Sequence, residues 1–454
     1  MTGAGSTLGG RMPSAVEQLA ANLDLSTLGK AKELRQRILF TLGALIVYRF
    51  GTFVPVPGIN PGALADLFAQ NSQGIIGMFD MFSGGAIGRM AIFALNIIPY
   101  ISASIIVQLL TSSIPHLEAL KKEGESGRRK INQYTRYLTV FLALFQSYGI
   151  AVGLQSSSGV VANPGLLFQI STVVSLTGGT IFLMWLGEQI TARGVGNGIS
   201  LIIYAGIVAE LPTALISTLE LGRQGALAPG VIIALLVMVA VVIYVIVLFE
   251  RAQRRLLVQY PKRQQGNKMF QGDTSHLPLK VNTAGVIPAI FASSLLLLPL
   301  TFANFTGSDS GGVMNTVTAL LGHGQPLYMV AYASLIAFFC FFYTAVVSNP
   351  EDMADNLKRQ GGFIPGIRPG PMTANHIDYV LTRITVVGAI YLVVICLIPE
   401  FLIAVYPVPF YFGGTSLLIV VSVTMDTVSQ IQGHMFAHQY EALIKKSKLR
   451  GGKK

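Results

Sequence analysis

The chain has 454 residues, of which 52% are hydrophobic and only 12% charged, a balance that excludes an ordinary soluble domain and points to a membrane protein. The formal net charge of +11 raises the question of nucleic acid, but the basic residues sit in short segments between apolar runs rather than in one basic domain, so membrane topology accounts for most of it. Cys340 and Cys396, the only cysteines, both fall inside apolar runs; they imply no disulfide framework and read as small buried hydrophobes.

Residues 1–35 are polar or weakly amphipathic and hold no apolar core ending in a small-residue cleavage site, so no cleaved signal peptide is expected. The apolar runs that follow lie near 36–54, 91–112, 137–156, 166–187, 199–219, 229–249, 284–305, 327–347, 379–399 and 410–432. Each is about long enough to cross roughly 30 Å of hydrocarbon as a helix. The predicted fold is an all-α polytopic membrane protein with ten transmembrane helices. Ten crossings return the C-terminus to the side of the N-terminus. With both termini cytoplasmic, all but three of the 32 Lys and Arg residues lie on the cytoplasmic side, the exceptions being Arg49, Arg89 and Arg223; this is the positive-inside pattern. The spans divide into an N-terminal half, 36–222, and a C-terminal half, 223–433, followed by a basic cytoplasmic tail, 434–454. Five spans per half would invert the second half relative to the first, a pseudo-symmetry that rests on topology, since no self-similarity is visible in the residues.

Three stretches break the alternation of span and short loop. After the turn-forming Pro55-Val56-Pro57-Gly58, a short apolar segment from Gly74 to Phe82 ends in Ser83-Gly84-Gly85. It is too short to cross; it either folds back into the protein as a re-entrant element or lies on the outer membrane surface. Between the sixth and seventh spans, Arg251, Arg254, Arg255, Lys262, Arg263 and Lys268 mark an extended basic hairpin reaching into the cytoplasm. Before the ninth span, Gly361-Gly362-Phe363-Ile364-Pro365-Gly366-Ile367-Arg368-Pro369-Gly370 forbids a regular helix and suggests a rigid exposed tip. Long cytoplasmic loops of this kind usually meet a partner, and the basic excess is compatible with an acidic lipid surface or ribosomal RNA.

Catalytic motifs are missing. No GxxxxGK[ST] phosphate loop occurs, and the Gly-rich start from Gly3 to Gly10 has no following Lys. His434 and His438 stand at i, i+4, yet no third metal ligand accompanies them. The middles of the spans hold almost no ionisable groups, which argues against an ion-coupled transporter. Uncharged polar residues inside the spans, among them Asn96, Ser102, Gln146 and Asn282, fit interhelical hydrogen bonds. Ile97 and Ile101, and likewise Ile199 and Ile203, share a helix face by their spacing. Such faces ordinarily meet lipid or neighbouring helices, though an apolar constriction is also able to block ions by dewetting.

Specific strings resemble the SecY family. They include Met78-Phe79-Asp80-Met81-Phe82-Ser83-Gly84-Gly85, Asn96-Ile97-Ile98-Pro99-Tyr100-Ile101-Ser102, Gly194-Val195-Gly196-Asn197-Gly198-Ile199-Ser200, Leu277-Pro278-Leu279-Lys280-Val281-Asn282, Gly366-Ile367-Arg368-Pro369-Gly370 and Tyr411-Phe412-Gly413-Gly414-Thr415. They occur in order over about residues 30–450. The resemblance implies the central, non-enzymatic subunit of the Sec protein translocase: a gated channel without a cofactor that passes unfolded preproteins and releases apolar segments laterally into the bilayer. It assigns a plug to about 74–89, with Ile75, Ile76, Met78, Phe79, Met81 and Phe82 as its apolar residues. It implies a pore ring of Ile97, Ile101, Ile199, Ile203, Ile290 and Ile419, and a lateral gate between the second and seventh spans, lined by Ser102, Gln146 and Asn282, whose hydrogen bonds would favour closure. Pro288 would lie within the seventh span, as either an aid to bending or a static kink. Arg254, Arg255, Lys262, Arg263, Lys268 and Arg368 would form a docking face for the ribosome and a SecA motor ATPase. Implied partners also include SecE-like and SecG-like membrane subunits, signal-bearing preproteins and membrane lipid, and the implied location is the bacterial inner, or plasma, membrane.

Overall fold

In hydrocarbon the backbone has no water to bond, so long apolar runs satisfy their polar groups within a helix. The structure, a computed structural model, describes residues 32–71, 80, 83–156, 159–225, 229–261, 263–265, 268–270, 274–305, 325–405 and 414–451. Helix α1 (Lys32–Gly51) leads through a turn to the short α2 (Pro61–Asn71), and then come α3 (Ile98–Ser113), α4 (Pro115–Lys122), α5 (Glu125–Ser156), α6 (Leu166–Arg193), α7 (Gly198–Arg223) and α8 (Pro229–Arg251). After a strand region, α9 (Ile287–Phe305), α10 (Pro326–Val347), α11 (Pro350–Arg359), α12 (Pro371–Val405) and α13 (Gly414–Gly451) complete the described chain. Among the described residues, seven helical stretches are long and apolar enough to cross a membrane: Glu125–Gln155, Leu166–Arg193, Gly198–Arg223, Pro229–Arg251, Pro326–Arg359, Pro371–Phe401 and Gly414–Met435. Counting α3 and α4 together, which meet at 97°, brings the number to eight. That bend falls at Ile114, which precedes Pro115 and is held extended at φ −103°, ψ 116°, as the clash with a following proline ring demands.

Two expectations are corrected by the backbone. Residues 91–97 form turns rather than the first part of a span: Met90 and Asn96 adopt left-handed φ values of 45° and 49°, and α3 starts only at Ile98 with Pro99 in its first turn. A proline there has no N–H to give an earlier turn and is pre-shaped to begin a helix. Pro288 likewise falls in the first turn of α9, where it starts the helix instead of kinking a span. The extended hairpin expected between the sixth and seventh apolar runs is built of strands. Strand β1 (Gln253–Gln259) pairs antiparallel with β4 (Thr274–Lys280), and β2 (Arg263–Gln265) pairs with β3 (Lys268–Phe270).

Helices α1, α3, α5, α6 and α7 pack among themselves, as do α8, α9, α10, α12 and α13. The two groups meet along two seams. On one, α3 and α5 lie against α9; on the other, α7 packs on α8 and α13, and α1 on α13. One apolar core runs through both groups, from Tyr48 and Ile190 to Ile336, Leu392 and Leu418. The connection between α6 and α7 is pinned at both sides: Val195 N–H donates to Thr41 Oγ1 on α1 at 3.0 Å, and Gly196 N–H donates to Gln430 Oε1 on α13 at 2.9 Å. Arg136 on α5 grips Glu188 on α6 with two parallel hydrogen bonds, 2.9 and 2.7 Å, the bidentate geometry that makes Arg–carboxylate pairs strong.

Small residues let backbones approach closely. A β-carbon on Gly179 of α6 would collide with the Ile92 carbonyl, whereas one on Gly178 would meet nothing within 4 Å. Gly179→Ala is therefore expected to destabilise the fold by about 1–3 kcal/mol, and Gly178→Ala to stabilise it by about 0.5–1 kcal/mol. Thermal unfolding of the two purified variants in detergent checks this opposite response, and equal midpoints would contradict the packing described.

Candidate functional site

Ile97 closes the turn run before α3, and Ile101 follows one helical turn later, so the two point to the same side. Ile203 arrives from α7, Ile290 from the first turn of α9 and Ile419 from α13. Together with Asn96, Ile98, Ser293, Ser294 and Thr415 they line one cavity of about 30 Å³. That space accommodates on the order of one or two water molecules. Ile97, Ile101, Ile203 and Ile419 are buried, and Ile290 is partly so. Five of the six isoleucines named from the sequence thus converge, although they lie far apart along the chain and come from both helix groups. Ile199 does not line the cavity. It sits one turn before Ile203 and packs toward α6, where a β-carbon on Gly187 would lie 3.2 Å from Ile199 Cγ1.

The polar rim of this cavity was not singled out from sequence. Ser293, Ser294 and Thr415 occur as ordinary small polar residues in apolar helices, and only the crossing of α9 and α13 beside α3 gives them a common neighbour. An isoleucine-rich wall has no favourable groups to replace an ion's hydration shell, and an apolar constriction is able to hold ions back by dewetting. Its branched aliphatic side chains can still rotate aside for a bulkier apolar chain.

The expected gate residues separate. Ser102 on α3 and Gln146 on α5 are buried close to the seam with α9. The Ser102 hydroxyl makes no hydrogen bond among the described residues. Asn282 lies in the bend before α9 and turns away from both: its amide donates to Glu250 Oε1 on α8 at 2.7 Å and to the Gly285 carbonyl at 3.2 Å. Ser422 on α13 donates to the same Glu250 oxygen at 3.3 Å. These contacts form a node linking α8, the start of α9 and α13.

At the end of the molecule that carries the strands, β1 buries Leu256 and Val258 and exposes Arg254, Arg255 and Leu257. Gln259 exchanges backbone hydrogen bonds of 2.8 and 2.9 Å with Phe363, so the hairpin and the 361–370 loop form one platform. Leu256, Val258, Leu279, Leu357, Ile364, Ile377 and Leu381 share a small core beneath it. Arg368, on the loop bonded to β1, is exposed as well. Lys262 and the plug residues Ile75, Ile76, Met78, Phe79, Met81 and Phe82 lie outside the described residues, and the side chains of Arg263 and Lys268 are likewise not described. Among the described residues no group of three or more His, Cys, Asp or Glu could hold a metal ion.

Comparison with known proteins follows the same line. The SecY family profile matches residues 91–428. The protein translocase subunit SecY of Escherichia coli K12 is 57% identical over 430 residues, covering 94% of this chain and 97% of its own. That of Rickettsia bellii is 56% identical over 424 residues, covering 92% and 98%. Among solved structures, one of a protein-conducting channel aligns with a TM-score of 0.59 at 18% identity, covering 88% of this chain and 92% of that one. A structure concerned with the SecY plug domain gives 0.60 at the same identity and coverage, and Sec61 in a canine ribosome–channel complex gives 0.58, again at 18% identity and with 88% and 92% covered. These structural likenesses establish a common fold, and the close sequence relatives establish the kinship: the chain belongs to the SecY family.

Proposed function

We propose that the isoleucine-lined cavity is the seal of a protein-conducting channel, and that this chain passes unfolded preproteins through it and releases apolar segments sideways into the bilayer. As a SecY-family member the chain is a channel subunit of a protein translocase and not an enzyme. The observation that carries the reading is the meeting of Ile97, Ile101, Ile203, Ile290 and Ile419 around about 30 Å³. Ile199, one turn away, supports the rim.

The ten apolar runs are read as ten transmembrane helices in two inverted halves, 36–222 and 223–433, with both termini in the cytoplasm and the whole in a bacterial inner membrane. The division of the packing into two helix groups supports that plan. The lateral gate is the seam of α3 and α5 with α9, where Ser102 and Gln146 are buried. Asn282 acts at its cytoplasmic end through Glu250. Residues 74–89 are the plug that backs the seal from the outer side.

Arg254, Arg255, Lys262, Arg263, Lys268 and Arg368 form the docking face for a ribosome or a SecA-type motor, whose translation or ATP hydrolysis supplies the energy. A structural relative bound to a ribosome favours that partner. SecE-like and SecG-like subunits and lipid surround the bundle.

Reconstitution tests the function directly. In liposomes holding this chain with SecE-like and SecA-like partners and ATP, a signal-bearing precursor becomes protease-protected. No protection in a correctly assembled preparation would return an ion-coupled transporter to consideration. For the seal, Ile97→Ser with Ile101→Ser, or deletion of 74–82, raises resting ion leak or lets weakened signal sequences through, measured as liposome conductance and precursor export. Unchanged leak and selectivity would refute the ring and plug roles. For the gate, cysteine pairs joining α3 to α9 in a chain lacking Cys340 and Cys396 block export when oxidised; export that continues after complete crosslinking would rule the gate out.

A further inference from the structure

Two of the basic residues that break the positive-inside pattern, Arg49 at the end of α1 and Arg89 before α3, converge on one backbone oxygen. Arg49 Nη1 donates to the Gly84 carbonyl at 2.6 Å and Arg89 Nη2 to the same oxygen at 2.8 Å, while Arg89 Nε donates to the Gly85 carbonyl at 2.9 Å. The phenol of Tyr48 donates to the Ser83 carbonyl at 3.2 Å. Phe53 lies beside both guanidiniums, with its ring centre 4.8 Å from Arg49 Cζ and 4.3 Å from Arg89 Cζ.

Two like charges drawn to one oxygen repel each other, and the arrangement needs a counter-charge. Glu210 of α7 supplies it: Oε1 stands 4.0 Å from Arg49 Nη2 and 3.8 Å from Arg89 Nη2. The glycines fit the site. Gly84 and Gly85 hold φ values of 68° and 77°, a left-handed conformation that favours glycine. A β-carbon at 84 would lie 2.9 Å from Arg49 Nη1 and 3.2 Å from Gly206 Cα, and one at 85 would lie 2.6 Å from Glu210 Oε1. The same short stretch is closed on itself, since Asp80 Oδ1 accepts from Gly88 N–H at 2.7 Å and the Asp80 carbonyl accepts from Gly85 N–H at 2.8 Å.

We propose that Glu210, Arg49 and Arg89 form a latch that fastens the Ser83–Arg89 stem to α1 and α7, and that its strength sets how apolar a signal must be to open the channel. The inference rests on the reading of residues 74–89 as a plug. Glu210 is a positioning residue here: it acts through the two arginines and touches no substrate. Because α1 and α7 belong to one helix group and pack on α13 of the other, a stem held to them stays with that group when the α3–α9 seam parts, unless the latch lets go.

The test uses the full chain with its SecE-like and SecA-like partners in liposomes, with Glu210→Gln and Arg89→Gln made singly and together, each also in the 74–82 deletion. Glu210→Gln is expected to raise resting ion leak, and export of a precursor with a shortened apolar signal, by about tenfold, the scale of one lost charge-assisted contact. The double variant should add little to either single one. In the deletion background Glu210→Gln should have no further effect. If Glu210→Gln and Arg89→Gln, both assembled and thermally stable, leave leak and selectivity unchanged while the deletion changes them, the latch is wrong and the plug stands. If the Glu210→Gln effect persists at full size in the deletion background, the latch is also overturned, because its action does not run through the plug. If the deletion itself changes nothing, the plug reading fails and takes the latch with it.

Discussion

An aperture in a bilayer has to hold back small hydrated ions and yet have walls able to part, and in the proposed channel both demands fall on a patch of aliphatic side chains. Isoleucine offers an ion no ligand, and between two isoleucines there are only dispersion contacts, each worth little and none directional. Separating such surfaces in the presence of an apolar substrate exchanges one set of contacts for another. A ring of hydrogen bonds would instead leave buried donors and acceptors unpaired at each opening, at a cost of about 1–3 kcal/mol apiece. The helix arrangement follows from placing that patch at the centre. Ile97, Ile101 and Ile203 come from one helix group and Ile290 and Ile419 from the other, so in the proposed channel relative movement of the groups would part them.

Directional interactions gather away from that patch. The α6–α7 connection bonds to α1 and α13 through Thr41 and Gln430, Arg136 joins α5 to α6, and Glu250 joins α8 to the start of α9 and to α13. Of these, the Gly196–Gln430 bond crosses between the groups, on the side where α7 and α1 meet α13. The opposite seam, α3 and α5 against α9, carries the apolar contacts of Ile97, Ile101 and Ile290. The Asn282–Glu250 node then ties the base of α9 to helices of its own group, so α9 moves with them.

The strand hairpin extends this division to the end of the molecule that carries the strands. Val281 N–H donates to the Ala252 carbonyl at 3.0 Å directly below the β1–β4 pair, and two residues before Ala252 stands Glu250. The Arg254–Arg255 strand and the 361–370 loop bonded to it are thus joined to the approach to α9 by backbone hydrogen bonds. The apolar core beneath the platform also takes in Ile377 and Leu381 from the start of α12, so the hairpin and the 361–370 loop are seated on that helix.

Much of this protein is written in local sequence. Apolar runs of membrane length, basic residues confined to alternate connections and proline-marked turns are one-dimensional signals, and they determined the helices, the expected orientation and the exposed basic loops. The isoleucine pairs were visible as spacing, and the family strings carried the pore positions with them. What the chain order could not fix was which faces meet. The resemblance placed Asn282 in the gate, but the helix begins five residues later and the side chain finds Glu250. Residues 91–97 were apolar enough to be read as helix, yet Pro99 and the left-handed Asn96 made them turns. Arg49 and Arg89 were mere exceptions to a charge rule until α7 brought Glu210 beside them. Periodicity and composition report how each segment meets its solvent. The partner of a buried polar group depends on the crossing of segments distant in the chain, and only the tertiary structure decided it.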